Sequence, residues 1–381
     1  MRSSDIIRLS QPYGGDPDVP TPGPASVLDV AMPTLDELLA AILADLSTDS
    51  PYGIGWWAPH PGTALRILIS DQLYSCTESV STNMIEAALH LLELGDYTDR
   101  HSDRMANCLT IIDGRLSVKA PRPNNPLEEL GIQILRMHVV GVARAVAGAL
   151  DCLAGTIIGV IAVPQPILKA DFDRVRRHFR KLTTNVRSEG ERVQATFADK
   201  LEHLINLAGP PGWLDWELEF RNMLVHRGRR IELGQFIRRE PMLYGPSGEP
   251  IPRIRVVTHL PRDPGRSDVE VLREPSRVSV LAEDADQTLK GLLKSTKSLI
   301  DGVASALLEV WNWRRAHPSS LTQPKEQWPE GVSTKSTGFP GYAPGFYQFN
   351  PDLGMTHPVI ARRMGAAALY DESRSQWDTF D

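Results

Sequence analysis

The sequence predicts a mainly α-helical protein: a helical bundle with a small β-rich insertion and flexible termini. Three observations lead there. Long runs place apolar residues at helical spacing, as in Leu289, Leu292, Leu293, Thr296, Leu299, Ile300, Val303, Leu307 and Val310. Helix start and stop signals recur along the chain, and short β-like runs cluster between residues 229 and 281.

Residues 1–32 are rich in Pro, Gly and Asp, with no apolar core of the kind a signal peptide needs, and read as a flexible arm. Residues 33–124 form an N-terminal helical region with a hairpin. Thr34-Leu35-Asp36-Glu37 has the form of a capping box after Pro33 and opens a helix through about Leu46. Gly53 to Gly62, with Trp56 and Trp57, reads as a loop. A helical pattern then runs from Thr63 to about Leu94, with Ser81 the point where a break would fall. Cys108 to Ile112, Asp113-Gly114 and Arg115 to Lys119 together spell a β-hairpin.

Residues 125–317 read as the bundle. Asn125 as cap and Pro126 at the first helical position open the longest predicted helix, which Pro164 and Pro166 stop after about Val163. Gly141, Ala145, Gly148, Gly155 and Gly159 along it would let a neighbouring helix come close. Further helices are expected at Ile167 to Ser188 and Glu191 to Leu207. Gly209-Pro210-Pro211-Gly212 then turns the chain into a helix from Trp213 to about Arg227, with Gly228 as its C′ residue. The insertion 229–281 contains β-like runs at Ile254 to Thr258, Val269 to Leu272 and Val278 to Leu281. A last helix runs from Asp284 to Ala316. Residues 318–381 form an irregular or disordered tail, rich in Pro, Gly and Ser, with Phe339 to Phe349 its most apolar part.

Composition narrows the function. In 381 residues with 41% hydrophobic content there is enough apolar surface for a core, and the net charge of −6 speaks against wholesale coating of nucleic acid. Any such role is local: Arg221 to Leu281 holds 12 Arg and no Lys against 7 acids, a balance of +5. Cys76, Cys108 and Cys152 lie too far apart for a CxxC site and are odd in number, so they read as reduced residues of a cytoplasmic protein. Ala145 to Val163 has the length and apolarity of a membrane span, but Asp151 at its middle and Arg136, His138 and Arg144 upstream favour a buried helix and no membrane. The chain has no Walker loop, Rossmann glycine fingerprint, HExxH or GxSxG, which removes support for the enzyme classes they mark. His60, His90, His101 and His203 lack the neighbours of a helical metal site, so no metal and no cofactor is expected. The run Arg174, Arg176, Arg177, His178, Arg180 and Lys181 reads as a solvated helix face, with an RNA-backbone track as the alternative.

The chemistry concentrates in Arg221-Asn222-Met223-Leu224-Val225-His226. At about 100° per residue, Trp213, Trp216, Phe220 and Leu224 make one stripe, expected to be buried, while Asp215, Glu219, Asn222 and His226 take the opposite side. A fixed cation beside an imidazole suits phosphodiester cleavage without metal, because the cation meets the developing charge and imidazole exchanges protons near neutral pH. A plainer reading also fits: His226 interacting with the helix dipole, and Arg221 pairing with Glu217 or Asp215.

This pattern of Arg, Asn, a short spacer and His on an amphipathic helix, followed by Arg227-Gly228-Arg229-Arg230, resembles the HEPN superfamily of helical ribonuclease-like domains. The insertion before the last helix departs from that family's pattern. The resemblance implies RNA cleavage by 2′-OH transesterification, with His226 as general base or acid, Arg221 on the scissile phosphate and Asn222 orienting either. Arg227, Arg229 and Arg230 would bind substrate. It also implies a homodimer through the motif helix, since the chain has one motif and the cleft needs two, and a toxin or antiviral role with an antitoxin or regulatory protein as partner. Many relatives of this kind are non-catalytic RNA-binding or protein-interaction modules, which is the competing expectation.

Overall fold

The computed structural model describes residues 30–45, 63–107, 109–112, 115–118, 126–182, 188–226, 234–244, 250–260, 285–317 and 320–321. The expected N-terminal arm before residue 30, the Trp56-Trp57 loop, the Asn125 cap, Gly228, the runs at Val269 and Val278 and the tail beyond Leu321 lie outside them. The described chain is mainly helical: α1 (Pro33–Asp45), α2 (Thr63–Asn107), α3 (Pro126–Ile161), α4 (Phe172–Arg180), α5 (Glu189–Ala208), α6 (Trp213–His226) and α7 (Ala285–Ala316). Between them lie two antiparallel ribbons. β1 (Leu109–Ile112) pairs with β2 (Arg115–Val118), and β3 (Gly234–Tyr244) pairs with β4 (Pro250–His259) with an irregularity between Glu240 and Leu243.

Four local expectations are corrected. Among the described residues the longest helix is α2, with 45 residues against 36 in α3, and it passes through Ser81 and Leu94 without a break. Beyond the expected end at Leu94, Ser and Thr on α2 turn their hydroxyls onto the preceding turn, Thr98 to the Leu94 carbonyl at 2.7 Å and Ser102 to Thr98 at 2.8 Å, so these polar residues sit inside the helix. The expected helix Ile167 to Ser188 is instead a 3-10 turn at Ile167–Lys169 followed by α4, whose N-cap Asp171 accepts from the Arg174 amide at 2.9 Å. A capping box at Ser188 and Glu191, each side chain bonding the other's amide, starts α5 two residues before the expected Glu191. Finally, α1 begins at Pro33, which occupies the first turn in place of a Thr34 cap.

The chain divides into two compact units. One comprises Met1–Pro33, Ser79–Leu150 and Lys200–Val303; the other comprises Thr34–Glu78, Asp151–Asp199 and Ala304–Asp381. In the first, α2 meets the glycines of α3 with bulky side chains. A Cβ on Gly141 would lie 2.5 Å from the His90 ring, one on Gly148 would lie 2.7 Å from the Asn83 Oδ1, and Gly131 faces the Tyr97 hydroxyl. His90 and His138 approach Nδ1 to Nδ1 at 3.1 Å, so one ring must donate and the other accept. Burial, and the neighbouring His90, hold His138 below the ordinary imidazole range, while Glu93 opposes them.

In the second unit the C-terminus of α3 is closed completely. Helices leave their last four carbonyls without intrahelical donors. Here Ile158 O accepts from the Val163 amide at 3.1 Å, with Ala162 at φ 56° as the left-handed turn residue. Gly159 O and Val160 O accept from the Arg314 Nη1 at 2.8 and 3.0 Å, and Ile161 O accepts from the Gln194 Nε2 at 3.0 Å. Asp151, the acid in the apolar run, accepts from the Phe172 amide at 3.1 Å. The span Leu130–Ile161 is long and apolar enough to cross a membrane, and 78% of its most apolar window is buried inside the protein. Asp45 at the end of α1 accepts from Trp311 Nε1 and Arg315 Nε, both at 2.7 Å, which anchors the last turns of α7. Burial and the neighbouring Cys76 and Asp151 push the Cys152 thiol up to about 11, so it is held as thiol.

Two outcomes follow. Gly141→Ala should cost about 1–3 kcal/mol in urea unfolding because the His90 ring must move. Gly95→Ala, on α2 with nothing within 4 Å of the added Cβ, should gain about 0.5–1 kcal/mol; equal effects at the two sites would refute the close approach. Arg314→Met should cost about 3 kcal/mol by the same measurement, since two buried carbonyls lose their donor.

Candidate functional site

Local sequence builds α6 tightly at its start. Gly212 adopts φ 81°, a left-handed value that glycine takes without strain, and the Trp216 amide bonds the Gly212 carbonyl at 2.9 Å. The Trp213 indole donates to Ile205 O of α5 at 3.0 Å, fixing the rotation of α6 against the preceding helix. Trp216 stacks on Phe220 with ring centroids 4.8 Å apart.

That rotation differs from the one read in the sequence. The buried side of α6 is Trp213, Leu214, Glu217, Phe220 and Met223, whereas Trp216 and Leu224 are only half-buried. Asp215 is exposed, and Glu219, Arg221 and Asn222 lie at the half-buried margin. Arg221 donates from Nη1 to the Asn222 Oδ1 at 3.3 Å, so the cation and the amide of the motif are brought together. His226 ends the helix one turn after Asn222. Its side chain, and Arg227, Arg229 and Arg230, lie outside the described residues. So residues four apart on one helix bring Asn222 and His226 to the same side, as backbone geometry alone requires.

Glu217 is the functional candidate that sequence reasoning passed over. It is 0% exposed, and neither carboxyl oxygen has a hydrogen-bond partner among the described residues. Burial raises its pKa well above the ordinary carboxylate range, and Arg221 one turn on partly offsets this. The spacing contained the signal: Glu217 stands four residues after Trp213 and three before Phe220, at the centre of the apolar stripe. A carboxyl whose burial favours the protonated form can donate a hydrogen bond or, once ionised, draw the Arg221 guanidinium inward.

Among the described residues no three His, Cys, Asp or Glu side chains are grouped as metal ligands would be. No protein-family model, curated protein or solved structure matches the chain. The chemical capacity of the site therefore rests on α6 itself: a guanidinium held at the protein margin by an amide, a buried acid below it, and an imidazole position one turn away.

The raised pKa sets a pH signature. An unfolded chain releases the Glu217 proton near pH ~4.3, whereas the folded protein holds it, so stability falls as pH rises from there toward the folded value. Glu217→Gln carries no such penalty. Its melting temperature should exceed that of the parent by a margin that grows as pH rises above the ordinary carboxylate range, and parallel curves for the two proteins would rule out a buried acid of raised pKa.

Proposed function

We propose that the chain is a metal-independent endoribonuclease of HEPN type, acting in the cytoplasm as a toxin or antiviral defence effector. The observation that carries this reading is the Arg221–Asn222 contact at the margin of α6, with His226 one turn on. In the proposed reaction His226 takes the proton from a ribose 2′-OH. The 2′-oxygen then attacks the adjacent phosphorus, and the bond to the 5′-oxygen breaks as that oxygen receives a proton. The products are a 2′,3′-cyclic phosphate and a 5′-OH. Arg221 bonds the non-bridging oxygens, where charge builds in the transition state, and Asn222 holds the guanidinium at the angle this requires. Arg227, Arg229 and Arg230 would bind flanking phosphates of the RNA. With one imidazole per chain available for two proton transfers, a homodimer through α6 would supply the second, and an antitoxin or regulatory protein would cover the paired site.

A second reading has its own support. Arg221 offsets part of the burial penalty on an ionised Glu217, a structural task that suits a non-catalytic helical module that binds RNA or a protein through the same surface. Incubation of the purified chain with labelled RNA in EDTA separates the two. Cleavage that falls by about 10²–10⁴ in His226→Ala, and by a similar factor in Arg221→Ala, supports the nuclease. Binding without cleavage by the parent protein supports the module.

A further inference from the structure

We propose that the exposed face of α4 is a docking surface for the phosphate backbone of single-stranded RNA. The helix is two-sided. Phe172, Val175, Arg176 and Phe179 are buried, and the Phe179 ring packs against Phe197 of α5 at 5.6 Å between centroids. At about 100° per residue, Arg174, Arg177, Arg180 and Lys181 fall within about one third of the helix circumference on the other side, and all four are exposed, as is Lys169 just before. The face is therefore presented to solvent on a helix whose orientation the core fixes.

Its charge is not cancelled by its own acids. Leaving aside the buried Arg176, residues 169–181 carry five Lys and Arg against two Asp, a balance of +3 in a chain of −6. Asp171 is engaged as the N-cap, and Asp173 pairs with Arg177 at 2.9 Å at a site where the guanidinium remains 61% exposed. An ion pair so open to water is worth little, so a phosphate can replace it at small cost. Burial holds His178 below the ordinary imidazole range, which leaves the guanidinium and ammonium groups as the cations of this face. From Arg174 to Lys181 the helix rises about 10 Å, enough for about three phosphates of a stacked strand. The choice of RNA over other polyanions rests on the nuclease reading above; the charge and exposure of the face do not.

The test uses the full chain carrying His226→Ala, so that RNA survives, and a fluorescein-labelled unstructured RNA read by anisotropy. Replacing Arg174, Arg177 and Arg180 by Gln should weaken binding about tenfold and reduce the slope of log K against log salt by about 2 between about 50 and about 200 mM. Lys294→Gln, at an exposed site on α7, should leave both unchanged. If the triple variant fails to fold, Arg177→Gln alone should lower the slope by about 0.7. Unaltered affinity and slope, absence of RNA binding by the parent, or binding through these residues to phosphatidylserine vesicles instead of RNA would each overturn the proposal. Absence of cleavage by the chain with His226 intact, alongside α4-dependent binding, would count against the nuclease reading alone, and cleavage by that chain alongside binding that the triple substitution leaves unchanged would count against the docking surface alone.

Discussion

The donors that close the C-terminus of α3 are the constraint on which the second unit depends. An apolar helix can bury its sides cheaply, but its end exposes carbonyls that cost about 1–3 kcal/mol each if left dry. Proline at positions 164 and 166 cannot supply amide donors, and so the closure is assembled from elsewhere in the chain: one backbone amide, one glutamine from α5 and one arginine from α7. Arg314 pays for this with complete burial, which pushes its guanidinium down to about 9, still charged at neutral pH and favourably placed at the negative end of the helix dipole. The same turns of α7 reach α1 through Trp311 and Arg315 on Asp45. One stretch of helix therefore satisfies the ends of two others.

Much of the helical framework was legible because its signals are local or periodic. The apolar spacing of α7 gave its length, and eight of the nine residues named for its core face are buried, from Leu289 to Leu307, with Val310 only half-buried. Pro126 and the Pro164–Pro166 pair bounded α3 within two residues of where it lies. The continuity of α2 was harder to see. Ser79, Ser81, Thr82 and Asn83 together resemble a break, but Asn83 bonds the Ser79 carbonyl at 2.7 Å within the helix and packs over Gly148. The order there comes from the partner helix, since His90, Asn83 and Cys76 stand seven residues apart, as do Gly141, Gly148 and Gly155. That pairing is a relation between two distant segments, which a reading of either one alone does not contain.

The motif was legible as residue types and not as orientation. A stripe drawn through the aromatics of α6 gave Trp213, Trp216, Phe220 and Leu224, yet the Trp213 indole bond to Ile205 turns the helix so that Glu217 and Met223 face inward and Trp216 moves to the margin. Aromatic residues tolerate partial exposure because their large surfaces are amphipathic. A carboxyl at the centre of a buried stripe runs against hydrophobic patterning, and for that reason Glu217 entered the sequence reading only as one of two acids, with Asp215, that could pair with Arg221.

The inward carboxyl changes what Arg221 means energetically. Its charge lowers the Glu217 pKa, against a larger effect of burial that raises it. An anion that engages Arg221 withdraws part of that charge from Glu217 and so favours the protonated acid further. By linkage the converse holds: ionising Glu217 gives the guanidinium an internal competitor and weakens its hold on an external anion. Any anion bound at Arg221 would thereby be coupled to protonation in the core through a single side chain. The buried acid costs the fold stability at high pH, and what it returns is a cation whose availability depends on the proton below it.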